Sequence, residues 1–337
     1  MPINKDFFIK DILKELEEEN VAVFVGAGLS MPAGYVSWNE LLRPIAEEIG
    51  LSIEKEYDLV SLAQYYINEN CGNRSELNKR LIEEFAQNSN TTQNHKILAK
   101  LPIKTYWTTN YDKLIERSLE EESKKPDVKY TKKHLSLTVP KRDAIVYKMH
   151  GDISHPDDAI LTKDDYESYH IKMDLYLSAL KGDLLTKTFV FLGFSFTDPN
   201  LDYILSRVRL AGVSIKRHYG IVKKVTKEAE ELDADFEYRK RKQELFIGDL
   251  KRFNIKSILV DEYSDITDII EEIKNKHKRK NVLISGAAHE YGNWGREKTE
   301  EFVQNLSKKL IESEYRIVSG FGLGIGSAVI SGALKTI

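Results

Sequence analysis

Apolar residues in the first hundred positions follow two spacings, one typical of amphipathic helices and one typical of buried strands. Residues 7–16 repeat apolar positions at helical spacing with Glu and Lys between them, which predicts a helix. Residues 21–25 form a continuous apolar run rich in valine, as expected of a strand buried on both faces. Helical spacing then returns, and it predicts helices over residues 38–49, 58–68, 76–85 and 93–100.

The alternation of strands and helices continues through the middle of the chain. Further apolar runs predict strands over residues 104–108, 144–148, 188–192, 219–222 and 257–260. Helical patterns accompany them over residues 111–121, 200–209 and 236–253. Apolar strands separated by helices are typical of a parallel sheet with helices on both faces. The predicted fold class is therefore α/β, with a Rossmann-like parallel sheet.

A basic run at residues 274–280 (Lys-Asn-Lys-His-Lys-Arg-Lys) interrupts this pattern. Such a run is either a nucleic-acid patch or a solvated linker or helix end, and a formal charge of −3 favours the second interpretation. The pattern then restarts, with strands predicted at 282–284 and 315–319 and a helix at 297–311. A glycine-rich loop at 320–326 is either a close strand–helix turn or the start of a phosphate-binding loop.

These patterns predict two domains of unequal completeness. We expect a first domain over residues 1–275, a basic linker over 276–280 and an incomplete second α/β domain over 281–337. The last segment holds too few βα units to bury both faces of a sheet, so it is expected to be the N-terminal fragment of a larger domain.

Composition narrows the class of protein. Of 337 residues, 41% are hydrophobic and 31% charged, which is ordinary for a soluble globular protein. No apolar run approaches the roughly 20 residues that a membrane-spanning helix needs. The N-terminus becomes charged within a few residues, unlike a signal peptide. We expect a cytoplasmic protein with neither a nucleic-acid nor a membrane partner.

The cysteine content excludes two kinds of site. Cys71 is the single cysteine of the chain, so an intrachain disulfide and a Cys-x-x-Cys zinc site are both ruled out. Cys71 lies in a polar stretch without a nearby basic partner to activate its thiol, which argues against a nucleophilic role.

A glycine motif follows the first predicted strand. Gly26, Ala27, Gly28 and Ser30 stand where backbone N–H groups can approach a phosphate without a clash from Cβ atoms. The alternative is a tight turn that only packs the strand against its loop. No acidic residue stands at the distance where a dehydrogenase holds the ribose, so a nicotinamide dehydrogenase fits poorly.

Two further motifs follow the strands predicted at 104–108 and 144–148. Asn110 could bond a ribose and Asp112 an amide, because ligand sites in open α/β sheets form at the carboxyl ends of strands. Either residue could instead cap the following helix, and the two roles are compatible. His150 with Gly151 is placed to act as a base, although a single histidine is more often structural.

The fourth motif follows the strand predicted at 188–192. Gly193 and Ser195 offer small and hydroxyl groups at the sheet edge. Asp198 is a candidate N-cap of the next helix.

Taken in this order, the four motifs resemble those of the Sir2 family, and the resemblance spans about residues 21–200. It implies an NAD⁺ site in which Asn110 lies beside the nicotinamide ribose and Asp112 faces the nicotinamide amide. His150 would act as the base, and Ser195, in the segment that begins at Gly193, would contact the adenosine portion. The residues that it implies on the adenosine and phosphate side are Gly26, Ala27, Gly28 and Ser30.

Two departures from Sir2 deacylases argue against a protein substrate. Those enzymes carry a small domain in which four cysteines hold zinc, and one cysteine cannot build it. Their Asp-Phe-Arg segment after the glycine motif is replaced here by residues 31–38, Met-Pro-Ala-Gly-Tyr-Val-Ser-Trp. We therefore expect no zinc and no cofactor beyond NAD⁺ itself.

The whole chain resembles the Sir2–SLOG effectors of Thoeris anti-phage systems. The stretches that carry this resemblance are residues 26–31, 59–66, 105–112, 193–203, 285–287 and 320–326. The resemblance implies an NAD⁺ nucleosidase that releases nicotinamide and ADP-ribose. It also implies a homo-oligomer, with a tetramer among the options, activated when the C-terminal domain binds a cyclic ADP-ribose-type signal.

Two alternatives remain at this point. A nucleotide sensor would bind NAD⁺ or ADP-ribose and release no nicotinamide. A zinc-less Sir2 deacylase would form acetyl-ADP-ribose from an acetyl-lysine peptide.

Overall fold

The computed structural model describes residues 2–86, 89–196, 198–210, 216–279, 281–286, 290–313, 315–320 and 324–335. Contacts divide the chain into two compact units, Met1–Glu271 and Glu272–Ile337. No helix among the described residues is long and apolar enough to cross a membrane.

The first unit contains a seven-stranded sheet in the order β3-β4-β2-β1-β5-β6-β7, in which every pairing is parallel. Its strands are β1 Val21–Val25, β2 Thr105–Thr108, β3 Pro126–Lys129, β4 Ala144–Lys148, β5 Thr188–Leu192, β6 His218–Lys223 and β7 Ile255–Val260. From β1 the chain builds the sheet toward β2, and from β5 it builds toward β6. The predicted Rossmann-like parallel sheet is confirmed, and its winding reverses between β1 and β5, where α/β sheets usually bind ligands.

Helices surround the strands. The helices before β5 are α1 Lys5–Glu17, α2 Ala27–Ser30, α3 Trp38–Glu48, α4 Leu59–Glu69, α5 Ser75–Phe85, α6 Gln93–Lys100, α7 Leu114–Glu121, α8 Lys132–Ser136, α9 Lys163–Lys172 and α10 Asp174–Thr186. Those after β5 are α11 Pro199–Leu210, α12 Asp233–Leu250 and α13 Ser264–Arg279, which crosses the boundary between the units.

Two apolar clusters position the strand ends that carry the motifs. One packs Phe24, Phe189 and Phe191 of the central strands against helices α10 and α11. The other joins α3, α4 and α5 to the segments that follow β2 and β4, through Tyr111 and Leu161. The α3–α5 module therefore lies beside the carboxyl ends of β2 and β4.

The edge strand β3 was not predicted from the sequence, and its charges explain why. Asp127 and Lys129 are both buried, with their charged atoms 2.6 Å apart, and Arg142 lies 2.7 Å from the same carboxylate. With a proline and two charged residues among its four positions, β3 lacks the apolar pattern by which a strand is predicted. Prolines and charged residues are nevertheless typical of strands at sheet edges. Helices α9 and α10 were missed as well, although Tyr176, Leu180 and Leu184 recur four residues apart and are buried.

The second unit pairs β8 Asn281–Leu283 with β9 Arg316–Val318 in parallel, beside α14 Gly295–Glu312 and α15 Ile325–Leu334. These elements match the predicted strand–helix–strand pattern, with ends shifted by a few residues. A small cluster of Ile284, Val303, Ala328 and Val329 forms its core.

The predicted linker and the predicted glycine loop both lie within this unit. The run predicted as a linker, 276–280, is helical over 276–279, because apolar residues spaced for a helix precede it in α13. Within the predicted glycine loop 320–326, residues 321–323 lie outside the described residues. The domain limits 1–275 and 281–337 stay a prediction.

Candidate functional site

The glycine motif packs directly against the segment that follows β5. The Gly26 N–H donates to Leu192 O at 2.9 Å, and the Gly28 N–H donates to Gly193 O at 2.9 Å. A Cβ atom on Gly26 would collide with Gly193 O, and Gly193 itself has a φ of +61°. The glycines therefore hold two backbones in close contact, which is the structural alternative for this motif. A phosphate contact stays a prediction, and the N–H groups of Gly26 and Gly28 are already engaged.

A cavity of about 620 Å³ opens at the carboxyl ends of β1, β2, β4, β5 and β6. This volume lies in the range of pockets that bind small molecules and cofactors. All predicted site residues except Gly26 line it, namely Ala27, Gly28, Ser30, Asn110, Asp112, His150, Gly193 and Ser195. Four motifs that lie far apart in the sequence thus meet around one cavity.

Asn110 is fixed from two sides. Its backbone N–H donates to Thr108 Oγ1 at 2.9 Å, and the Thr108 hydroxyl donates to Val25 O at 2.9 Å. Its side-chain Nδ2 donates to Gly26 O at 3.1 Å and to Ser30 Oγ at 3.0 Å. Because a carbonyl can only accept, the amide orientation is determined. Both amide N–H groups are used, so Oδ1 is the atom left to accept a hydrogen bond from a ligand hydroxyl or a water.

The two carboxylate oxygens of Asp112 differ in their surroundings. Oδ1 accepts the Leu114 N–H at 2.9 Å, at the first residue of helix α7, which begins three residues after the predicted start and has Lys113 at its N-cap. Asp112 Oδ2 is buried and accepts no hydrogen bond from the described residues. Tyr35 and Phe85 stack nearby with ring centroids 5.5 Å apart, and both line the cavity. This part of the cavity therefore combines the aromatic rings of Tyr35 and Phe85 with a carboxylate oxygen, Asp112 Oδ2, that accepts no hydrogen bond from the described residues.

His150 lines the same cavity and is 2% exposed. Its Nε2 is 2.9 Å from Asp198 Oδ2, but the N–H direction does not point at that oxygen. Neither ring nitrogen has a geometrically satisfied hydrogen bond to the described residues. A buried imidazole in this condition is costly unless a ligand completes its bonding.

Asp198 is the partner of His150 that sequence reasoning missed. Its predicted role as an N-cap is confirmed, since Oδ1 accepts the Leu201 N–H at 2.9 Å. Oδ2 also accepts from the Tyr166 hydroxyl at 3.3 Å. Burial alone would raise the pKa of the Asp198 carboxyl, but the His150 ring and the Leu201 N–H outweigh burial and hold that pKa below its usual value.

A buried lysine lies behind the site and was not singled out in the sequence. Lys148 is 0% exposed, and its Nζ donates to Tyr111 O at 3.0 Å and to Asp112 O at 2.5 Å. The same Nζ lies 2.5 Å from Asp152 Oδ2 and 3.2 Å from Glu116 Oε1. Burial lowers the pKa of the ammonium, but the carboxylates of Glu116, Asp152 and Asp112 outweigh burial and raise it. Lys148 thereby connects the segment after β2, which carries Asn110, to the segment after β4, which carries His150.

The far end of the cavity lies beyond Gly193, where Ser195 is exposed at its wall. Sequence reasoning missed several side chains there, including Lys223 at the end of β6. The Lys223 Nζ lies 2.6 Å from Glu262 Oε2 and 5.2 Å from the ring centre of Tyr263. These residues form an exposed polar and aromatic end, in contrast to the buried end at Asp112.

Among the described residues, no group of three or more His, Cys, Asp or Glu side chains is placed to hold a metal ion. The absence of zinc and of other cofactors stays a prediction, which rests on the single cysteine of the chain.

Two domain families match the chain. The SIR2-like domain matches residues 104–245, and the Sir2- and TIR-associating SLOG family matches residues 265–337. A Bacillus cereus (strain MSX-D12) protein named NAD(+) hydrolase ThsA is 61% identical over 331 residues, which cover 98% of this chain and 70% of that protein. The chain belongs to the ThsA family. The resemblance to Sir2–SLOG effectors is thereby confirmed.

Other relatives extend the comparison. An Acinetobacter baumannii (strain 532279) protein, also named NAD(+) hydrolase ThsA, is 57% identical over 330 residues, covering 98% of this chain and 68% of that protein. Defense-associated sirtuin 2 of Bacillus subtilis is 28% identical over 211 residues, which cover 60% of this chain and 20% of that protein.

Proposed function

We propose that this chain hydrolyses NAD⁺ to nicotinamide and ADP-ribose as an effector of anti-phage defence. The observation that carries the proposal is the placement of two buried side chains around one cavity: Asn110, whose amide donors are both used so that Oδ1 is left to accept, and His150, whose ring nitrogens lack a satisfied hydrogen bond among the described residues. The names of the ThsA relatives support the substrate, and the name of the Bacillus subtilis relative supports the defence role.

The geometry suits cleavage of an N-glycosidic bond. Nicotinamide would lie beside the stacked rings of Tyr35 and Phe85, with its amide N–H donating to Asp112 Oδ2. As the bond from C1′ to the pyridinium nitrogen breaks, its electron pair neutralises the leaving ring, so acid catalysis of departure is unnecessary. Asn110 Oδ1 would hold a ribose hydroxyl or the attacking water.

His150 would supply the base. The water oxygen bonds to C1′ and its proton passes to His150, directly or through a ribose hydroxyl, and then to solvent. General-base assistance of this kind is typically worth about 10²–10⁴-fold. Ala27, Gly28, Ser30, Gly193 and Ser195 would line the phosphate and adenosine end. Since one cysteine cannot build a four-cysteine zinc site, we propose that hydrolysis needs neither zinc nor another cofactor.

Regulation would come from the C-terminal unit. The match to the Sir2- and TIR-associating SLOG family supports a nucleotide-sensing role for residues 265–337. We propose a cyclic ADP-ribose-type activator, a homo-oligomeric enzyme and a cytoplasmic location, as in a Thoeris system.

The test is nicotinamide release from NAD⁺ by the purified chain, with and without cyclic ADP-ribose isomers. His150→Ala and Asn110→Ala should each lower turnover by about 10²-fold or more. His155→Ala is the matched control, because His155 is exposed in the same loop and should leave turnover unchanged.

The outcomes separate the hydrolase from its alternatives. Full turnover by folded His150→Ala protein would overturn the assignment of the base. NAD⁺ binding in calorimetry without nicotinamide release, under every isomer, would replace the hydrolase with a sensor. Acetyl-ADP-ribose formed from an acetyl-lysine peptide would identify a deacylase.

A further inference from the structure

We propose that Asp198 is a positioning residue that selects which nitrogen of His150 carries the proton. The inference rests on the proposed function, because it assigns His150 the role of base. Asp198 would accept a hydrogen bond from His150 Nε2–H. That bond leaves Nδ1, which has no partner among the described residues, as the unprotonated nitrogen that takes up a proton.

The Asp198 carboxylate is itself held in place. Its side chain is 8% exposed, and its two oxygens are held by different donors. Oδ1 accepts the Leu201 N–H at the start of α11, while Oδ2 accepts the Tyr166 hydroxyl and faces His150. Tyr166 also lies edge-on to the imidazole, with ring centroids 5.5 Å apart. The oxygen next to His150 therefore has little freedom to move.

The contact is close but not aligned. At 2.9 Å the Nε2 and Oδ2 atoms are within hydrogen-bond distance, and only the N–H direction is wrong. Catalytic hydrogen bonds are often poorly aligned before substrate binds and tighten in the complex. Rotation of the ring would align this one, and a ribose hydroxyl that donates to Nδ1 would favour that rotation.

Capping of α11 does not by itself explain why residue 198 is an aspartate. Ser, Thr, Asn and Asp cap helices about equally well, so capping does not require a negative charge. The charge does matter for His150. A carboxylate can only accept, so it forces the facing nitrogen to carry a proton, and it also stabilises the imidazolium formed when the base takes up its proton.

The substitution Asp198→Asn removes the negative charge but keeps the side-chain oxygen that caps α11. Because the Leu201 N–H must be accepted, the amide oxygen would stay at the Oδ1 position and the NH₂ group would face His150. An NH₂ group donates, so His150 Nε2 would become an acceptor and the proton would move to Nδ1. The analogous tautomer reversal in serine proteases costs about 10⁴-fold in turnover. We expect kcat for NAD⁺ to fall by about 10²–10⁴-fold with KM nearly unchanged.

The experiment uses two readouts on the whole chain. Nicotinamide release gives kcat and KM, and ¹⁵N spectra of histidine-labelled protein report the tautomer of each ring, with His150 assigned by its loss in His150→Ala. Asp183→Asn is the matched control, because Asp183 accepts the Trp107 Nε1–H at 2.9 Å and pairs with Lys187 outside the cavity.

We expect wild-type His150 to carry its proton on Nε2 and Asp198→Asn to move it to Nδ1. Wild-type kcat or an unchanged His150 spectrum in Asp198→Asn would overturn the proposal, since an unchanged spectrum is what a capping role predicts. If wild type releases no nicotinamide, the hydrolase assignment fails, while the spectra still test the contact with Asp198.

Discussion

Lys148→Met should be among the most destabilising single changes in the first unit. The side chain is fully buried, and its ammonium contacts two carbonyl oxygens and the carboxylates of Asp152 and Glu116. Methionine keeps most of the volume but removes the positive charge and every donor. The variant therefore retains the packing but leaves Glu116 without its cation and Asp152 with only the half-exposed Lys113, whose Nζ lies 3.7 Å from Asp152 Oδ1.

The magnitude follows from the cost of breaking a buried ion pair. Removing one partner costs about 3–5 kcal/mol, because the remaining charge stays buried and unpaired. In domains of 150–250 residues each kcal/mol lowers Tm by roughly 2–4 °C, so the loss should be about 6–20 °C. Lys100→Met is the control: Lys100 is 38% exposed and 3.4 Å from Glu122, and such surface pairs contribute at most about 1 kcal/mol.

The pH dependence gives a sharper test of the same reasoning. Burial opposes ionisation of Asp152, but Lys148 outweighs it and lowers the pKa of Asp152, so this stabilisation is present above the usual carboxyl range and is lost as pH falls. Burial raises the pKa of Glu116, and the attraction of Lys148 is the largest influence that limits the rise. Without Lys148 both carboxylates should take up protons more readily.

Calorimetric melting of wild type and Lys148→Met from pH 8 to pH 4.5 would follow this effect. The Tm difference should shrink as pH falls, and adding Asp152→Asn should restore part of the loss. A Tm within 1 °C of wild type at pH 8, or a difference that grows toward low pH, would refute the reasoning.

Three further changes test other parts of the fold by calorimetry. Gly193→Ala should lower Tm by more than 10 °C, because its Cβ would collide with the backbone that follows β1. Gly72→Ala, also at positive φ but in open space, should cost only about 1–2 kcal/mol of stability. Equal losses in the two variants would contradict the close packing at Gly193. Gly182→Ala, inside α10 with nothing within 4 Å, should stabilise by about 1 kcal/mol, and a lower Tm would contradict the open space assigned there. Asp127→Asn should cost about 3 kcal/mol at pH 7 by leaving Lys129 buried and unpaired, and a Tm equal to wild type would show that this edge cluster contributes nothing.

Continuous apolar runs made the central strands predictable. Strands β1 and β5 have the predicted limits, because both are buried at every residue and leave no polar position that would interrupt the apolar run. The carboxyl ends of parallel strands share one edge of the sheet, so motifs that follow successive strands must converge there. That rule was enough to place Asn110, His150 and Ser195 around one cavity.

The buried charges could not be predicted in the same way. Lys148 is the last residue of β4, where a polar residue is ordinary, and its partners are Asp152 and groups within residues 111–116. Asp127 and Lys129 occupy the buried positions of β3, so the strand shows no apolar alternation. Their burial is tolerated because the two charges pair with each other, and that pairing is visible only in three dimensions. A sequence pattern detects the energy of burying apolar groups, but it does not detect compensation between charges.

The pairing of His150 with Asp198 depends on loops rather than on strand order. β4 and β5 are separated in the sheet by β2 and β1, three strand spacings or about 14 Å. His150 lies two residues past β4 and Asp198 six residues past β5, so the two segments must lean toward each other across the ends of β2 and β1.

Helix α11 determines where the second segment stops. Pro199 is its first residue and Asp198 its cap, a combination that fixes where a helix begins. In the sequence this Asp-Pro pair reads only as a helix start. In the structure the same start sets the depth at which a carboxylate meets His150, so a local folding signal also positions the chemistry.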